Sequence, residues 1–200
     1  MAVGNDVVDL GDSAIATSHL RPRFVAKVLT GAERARFADA GEKKTFLWAC
    51  FAAKEAAYKA VAQVRPPPGF APHRFEVAGD FSSVRFDDLV LNCRVDVSEG
   101  RVHAVVWLGA EPELAGARRL GGSVDASRAA RSELCRGLAA ALGCPTGELA
   151  VERDRVASSW DGFGPPRVEL RGRALDASVS LSHDGEFVAF AAQRGGCPQA

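Results

Sequence analysis

Three short segments carry the side chains best suited to chemistry on phosphates. Asp6 lies in Val3 to Leu10, Lys54, Glu55 and Lys59 lie between Trp48 and Ala60, and Ser182 and His183 run into the turn Asp184-Gly185. Period-two alternation puts Asp6 on the strand face of Val8 and Leu10, and a carboxylate buried there costs several kcal/mol unless a cation or N–H donors offset it. A metal is one such partner; backbone N–H groups at a strand end are another. Glu55 and Lys59 are four residues apart and therefore neighbours on a helix, where such a pair also serves as a plain surface ion pair worth a few tenths of a kcal/mol. Lys54 is a third charge, angled away from that pair. Together, a carboxylate on a strand, a carboxylate with a lysine on a helix and a Ser-His turn are the parts that hold a metal-bound pyrophosphate. Asp9 and Asp12 read as solvated carboxylates. A Ser-His-Asp hydrolase fits poorly, because adjacent Ser182 and His183 on an extended strand point to opposite faces and no G-x-S-x-G elbow exists.

The elements that must position these groups are legible from periodicity. Val3 to Leu10 reads as a strand. Thr30-Gly31-Ala32-Glu33 reads as a capping box opening a helix that ends near Gly41. Apolar residues at Phe46, Cys50, Ala53, Ala57 and Val61 predict a helix from Lys44 to about Gln63, stopped by Pro66-Pro67-Pro68. Strands follow at Arg74 to Ala78, Leu89 to Val97 and Val102 to Leu108, with Ser98-Glu99-Gly100 as a hairpin turn, and then a loop rich in Gly, Ala and Glu. A second helix is expected from Ala126 to Leu142, closed by Gly143, followed by strands near Leu149 to Glu152, Arg167 to Leu170, Val179 to Ser182 and Phe187 to Ala192. The order helix, strands, hairpin thus occurs twice. Glu99 to Val105 aligns with Asp184 to Phe190, which implies an α+β fold of two similar halves, residues 1–110 and 111–200, packed as a pseudo-dimer with a cleft between them.

Composition limits the alternatives. The chain has 200 residues, 47% of them hydrophobic, with 25 basic and 25 acidic side chains. That balance leaves no field to draw it to nucleic acid or an anionic membrane, so any charge steering is local. No apolar run approaches the roughly 20 residues of a spanning helix, and no leader is evident, so a cytoplasmic location is expected. Cys50, Cys93, Cys135, Cys144 and Cys197 form no C-x-x-C pair and read as reduced structural thiols. The tail Gly195-Gly196-Cys197-Pro198 is expected to fray.

With those residues in place, the sequence resembles the 4'-phosphopantetheinyl transferase superfamily. Gly4-Asn5-Asp6-Val7-Val8-Asp9-Leu10 resembles the family's aspartate motif, and Phe24 to Glu33 its Leu-Thr-x-x-Glu stretch. Trp48 to Ala60 resembles W-x-x-K-E-A-x-x-K, and Ser180-Leu181-Ser182-His183 resembles S-x-S-H. The resemblance implies transfer of the phosphopantetheine arm of coenzyme A to a serine of an acyl or peptidyl carrier protein, with release of 3',5'-ADP. The short family type forms trimers and the long type fuses two halves. Here the aspartate and K-E-A motifs precede S-x-S-H, the reverse of the long type, so a self-contained monomer is expected.

Carried onto this chain, the family pattern implies Asp6 and Glu55 as Mg2+ ligands, Glu55 as the base and Lys59 as the group that neutralises the leaving oxygen. Ser182, His183, Lys54, Arg128 and Arg131 are implied as coenzyme A contacts. Two positions depart from it: Val8 stands where the long type carries a third acidic residue, and Pro165 where it carries a lysine. Those departures keep open, as the alternative, a non-catalytic module that binds coenzyme A or a carrier. Carriers of this kind are acidic, and Arg21, Arg23, Lys27, Arg34, Arg36, Lys43 and Lys44 outnumber the acidic Glu33, Asp39 and Glu42 nearby, marking a docking face.

Overall fold

A run of alanines decides how the first half packs. Strand β1 (Ala2–Asp9) is buried along its whole length, and the helix α3 (Lys43–Val61) lies across it with Ala49, Ala52, Ala53, Ala56, Ala57 and Ala60 turned inward. Only small residues allow so close an approach: a Cβ on Gly4 would stand 1.9 Å from the carbonyl oxygen of Ala56. The computed structural model describes residues 1–65, 69–122, 125–156 and 163–195. Pro66 to Pro68 and the tail beyond Gly195 lie outside them, and α3 already ends at Val61.

The chain has an α+β fold. In the first half β1 pairs antiparallel with β5 (Arg101–Leu108), followed in the sheet by β4 (Leu89–Ser98), β3 (Ser83–Phe86) and β2 (Phe75–Val77). Two further helices, α1 (Pro22–Val28) and α2 (Gly31–Asp39), precede α3. In the second half β10 (Ala177–Asp184), β11 (Phe187–Arg194) and β6 (Leu114–Arg119) form one sheet beneath α4 (Ala126–Leu142). A small sheet of β7 (Leu149–Arg155), β8 (Phe163–Leu170) and β9 (Arg173–Ala174) completes it.

The two halves share a plan, an edge strand paired to the second strand of a hairpin and a helix over the outer face. They meet through the opposite faces of their sheets, where Val3, Val105 and Trp107 pack on Ala191, and Val7 packs on Phe187 and Ala189. The residue alignment read from sequence is off by one. Ser98 pairs with Arg101 and Asp184 with Phe187, so Arg101 corresponds to Phe187 and not to Glu186. A one-residue slip exchanges the faces of a strand, and burial chooses the register that puts Phe187 inside.

Most predicted elements appear within a residue or two of their expected bounds. The Gly-rich segment after Leu108 is a correction: it contains β6, whose Gly116 lies under the Phe190 ring, where a Cβ would come within 3.3 Å. Strand propensity is low there because packing needs small residues. The four described cysteines are free, and burial pushes the Cys50 and Cys93 thiols up to about 12, so both are inert at neutral pH.

Candidate active site

Packing α3 onto β1 sets Lys59 above two carboxylates. Its Nζ lies 2.9 Å from Asp6 Oδ1 and 3.2 Å from Glu55 Oε1, and it also donates to the Asn5 carbonyl at 3.1 Å. Asp6 is 6% exposed. Burial pushes its carboxyl up to about 8; Lys59 pulls it down and Glu55 pushes it further up. Burial alone would lower Lys59, but Asp6 and Glu55 hold its ammonium above the usual lysine value. The Lys59 ammonium occupies the point on which two carboxylates converge, so the donors suit a hard divalent cation, which commonly takes one or two carboxylates and completes its shell with phosphate oxygens. Among the described residues no group of three or more metal-ligating side chains occurs, and Val8, on the same strand face, packs in the apolar core with the α3 alanines.

Lys54 corrects the expectation of a coenzyme A contact. It is fully buried and gives its protons to Glu33 Oε2 at 2.5 Å and the Val28 carbonyl at 2.7 Å. Burial lowers its pKa even against the opposing pull of Glu33. Glu33, the capping-box residue of α2, also accepts from the amides of Thr30 and Val77 at 2.8 and 2.7 Å. This pair, with both side chains fully buried, ties α1, α2, α3 and β2 together.

Ser182 is also corrected. The exposed edge of β1 is sealed by side chains of β10: Val3, Asn5, Val7 and Asp9 donate their amides to Ser178 Oγ (2.7 Å), Ser180 Oγ (2.9 Å), Ser182 Oγ (2.7 Å) and Asp184 Oδ2 (2.8 Å). The serines of S-x-S-H thus join the two halves in place of a strand ladder. Asp9 is not solvated either; it is 6% exposed and its Oδ2 accepts from the Glu186 amide, while Asp12 caps a short turn through Ala14. Gln63, two residues past the end of α3, donates to the carbonyls of Val3 and Val179 and adds a further clasp between the halves.

His183 is exposed on the opposite, α4 side of its sheet, in one cross-strand row with Val188 and Arg118. Beyond that row lies a basic cleft of about 510 Å3 lined by Arg118, Arg119, Arg128 and Arg136. Arg128 lines this cleft. Arg131 does not; its guanidinium turns back to Ser127 O and Oγ on its own helix. Arg118 and Arg119 escaped the sequence reading because β6 itself did; the paired arginines were the available signal. No contact among the described residues links His183 to Asp6, Glu55 or Lys59.

Of the seven basic residues expected to face a carrier, Arg21, Arg23, Lys27, Arg34 and Lys43 are exposed. Arg36 and Lys44 are spent on the fold, donating to the carbonyls of Val77 and Leu10. Beside Arg21, Leu20 is 67% exposed.

Residues 2–99 match the 4'-phosphopantetheinyl transferase superfamily, and this first half holds Asp6, Glu55 and Lys59. Similar solved structures include holo-[acyl-carrier-protein] synthase of Neisseria meningitidis (20% identity, 52% of this chain and 94% of that one, TM-score 0.42). The Helicobacter pylori enzyme in complex with coenzyme A is another (19%, 54% and 99%, TM-score 0.43). A third is that of Thermotoga maritima (14%, 86% and 84%, TM-score 0.38). No curated protein matches the chain in sequence.

Proposed function

We propose that this protein transfers the 4'-phosphopantetheine group of coenzyme A to a serine hydroxyl of an apo acyl or peptidyl carrier protein, releasing 3',5'-ADP. The observation that carries the reading is the meeting of Asp6, Glu55 and Lys59 at one half-open point where α3 crosses β1. Asp6 and Glu55 would hold Mg2+, which when bound neutralises the pyrophosphate oxygens. Glu55, about a third exposed at its side chain, receives the proton of the carrier serine directly or through a held water. The serine oxygen forms its bond to the phosphorus of the pantetheine phosphate as the bond to the bridging oxygen breaks. Lys59, also partly exposed, neutralises the charge that collects on that oxygen as 3',5'-ADP leaves. His183 and the arginines of the α4 cleft hold the remaining phosphate charge at rest. Positioning and charge neutralisation supply the rate, without a covalent enzyme intermediate.

For the carrier, the exposed Leu20 with Arg21, Arg23 and Lys27 offers an apolar anchor ringed by positive charge, which suits an acidic helix. The reading is tested by incubating the protein with an apo carrier, coenzyme A and Mg2+, with an EDTA control. A metal-dependent gain of one phosphopantetheine unit in the carrier's mass supports it. No gain across several carriers, with coenzyme A still bound, would leave a binding module.

A further inference from the structure

The two halves use matching strands differently. By the observed registers, Arg94, Asp96 and Ser98 of β4 correspond to Ser180, Ser182 and Asp184 of β10, and β6 corresponds to β1. On one side, β10 holds the outward amides of β1. The opposite junction is not sealed in this way. Leu120 donates to Glu186 of the hairpin, so alternate amides of β6 point to β11 and those of Ala115 and Ala117 point away from it. Arg94 is instead paired with Glu111, and Asp96 accepts from Arg101 and Ser98. What remains is a cleft of about 300 Å3 lined by Arg94, Asp96, Arg101 and His103 on one wall and Ala115 and Ala117 on the other.

Two nitrogens in the first wall have no hydrogen-bond partner among the described residues. His103 and Arg101 are 7% and 8% exposed, and His103 Nε2 and Arg101 Nε are both buried without a hydrogen bond. Each such group is destabilising when left unpaired, and two beside one cleft share a common remedy in an acceptor-rich ligand. Asp96 is the carboxylate in the lining and is already held by Arg101 and Ser98, while the Arg94–Glu111 pair is more than half exposed and free to open. The cleft opens on the face of the first sheet away from α3, so it is separate from the Asp6 centre.

We infer that this cleft is a second ligand site, which takes a phosphate group against Arg94, Arg101, His103 and the free edge of β6. Inorganic phosphate and a nucleotide phosphate present the same chemistry here, and the test separates the two. Amide and imidazole NMR shifts of the full chain are followed during titration with sodium phosphate, and separately with adenosine monophosphate, at constant ionic strength set with chloride. The expected result is saturable shifts at the Ala115 and Ala117 amides and the His103 ring. Loss of one charged donor in Arg94→Gln should weaken these at least about tenfold. Shifts that also spread to Val105 with the nucleotide, at higher affinity, identify a nucleotide; equal affinity for both identifies the free anion. His103→Phe should abolish the response at Ala115 and Ala117 while leaving shifts at Arg118 and Arg128 intact. Because Arg94 is remote from the Asp6 centre, Arg94→Gln should transfer phosphopantetheine at the wild-type rate, so failure of either reading is distinguishable from failure of the other. Shifts confined to the α4 cleft, or responses unchanged by Arg94→Gln, would overturn the inference.

Discussion

Lys54 and Lys59 stand little more than one turn apart on α3, and each meets a buried carboxylate, yet their surroundings assign them opposite work. Lys54 is sealed and faces one carboxylate, Glu33, whose remaining lone pairs are taken by backbone amides. Lys59 is partly open and faces two carboxylates, one of which, Asp6, is held well above its ordinary pKa. A satisfied pair fixes helices to one another. A second carboxyl group at an open rim, which burial keeps protonated in the absence of a cation, is a group that a bound ligand can ionise, and that separates a candidate catalytic pair from a structural one of the same type.

The comparison can be broken most sharply by exchanging function for stability. Glu55→Gln should lower phosphopantetheine transfer by about a hundredfold or more, the scale of a lost general base, with an unchanged urea midpoint. Lys54→Met should do the reverse. It strands the buried Glu33 charge and should cost about 3–5 kcal/mol in urea unfolding, while residual folded protein keeps its catalytic rate. Equal loss of stability in both variants would erase the distinction.

Asp6→Asn sharpens it through pH. Because the folded carboxyl keeps its proton up to about pH 8 while the unfolded one loses it near its ordinary value, the folded state binds more protons between those limits and wild-type stability falls as pH rises through them. The asparagine variant should therefore be inactive but, in EDTA, more stable than wild type at pH 8, with the gap closing toward pH 4. Urea midpoints at both pH values check this, and a variant less stable at pH 8 would contradict it. The smallest effect belongs to the interface serines. Ser182→Ala removes the acceptor of one buried amide and should cost about 1–3 kcal/mol, with coenzyme A affinity unchanged in calorimetry; a large loss of affinity would restore Ser182 to the ligand site.

What could be read in advance follows the range of the interactions. The capping box at Thr30, the helix carrying Glu55 and Lys59, and the face of Asp6 depend on neighbours within a turn or a strand, and sequence spacing reveals them. Ser178, Ser180, Ser182 and Asp184 show a plain period of two, but their partners lie 175 residues away, so the pattern reads as an anion spot instead of a seam. Lys54 misleads for a related reason: α3 is covered on nearly every side, and a helical wheel cannot tell which charged position meets Glu33 and which meets a cleft. Strand β6 is hidden because the Phe190 ring demands small residues where strand formers would otherwise announce it.

The most direct test is the intact mass of an apo carrier after incubation with coenzyme A, Mg2+ and either wild-type protein or Lys59→Met, whose folding is confirmed by its unfolding midpoint. The division of labour along α3 predicts one added phosphopantetheine with wild type and essentially none with the variant in the same interval. Equal modification by the two proteins would contradict it.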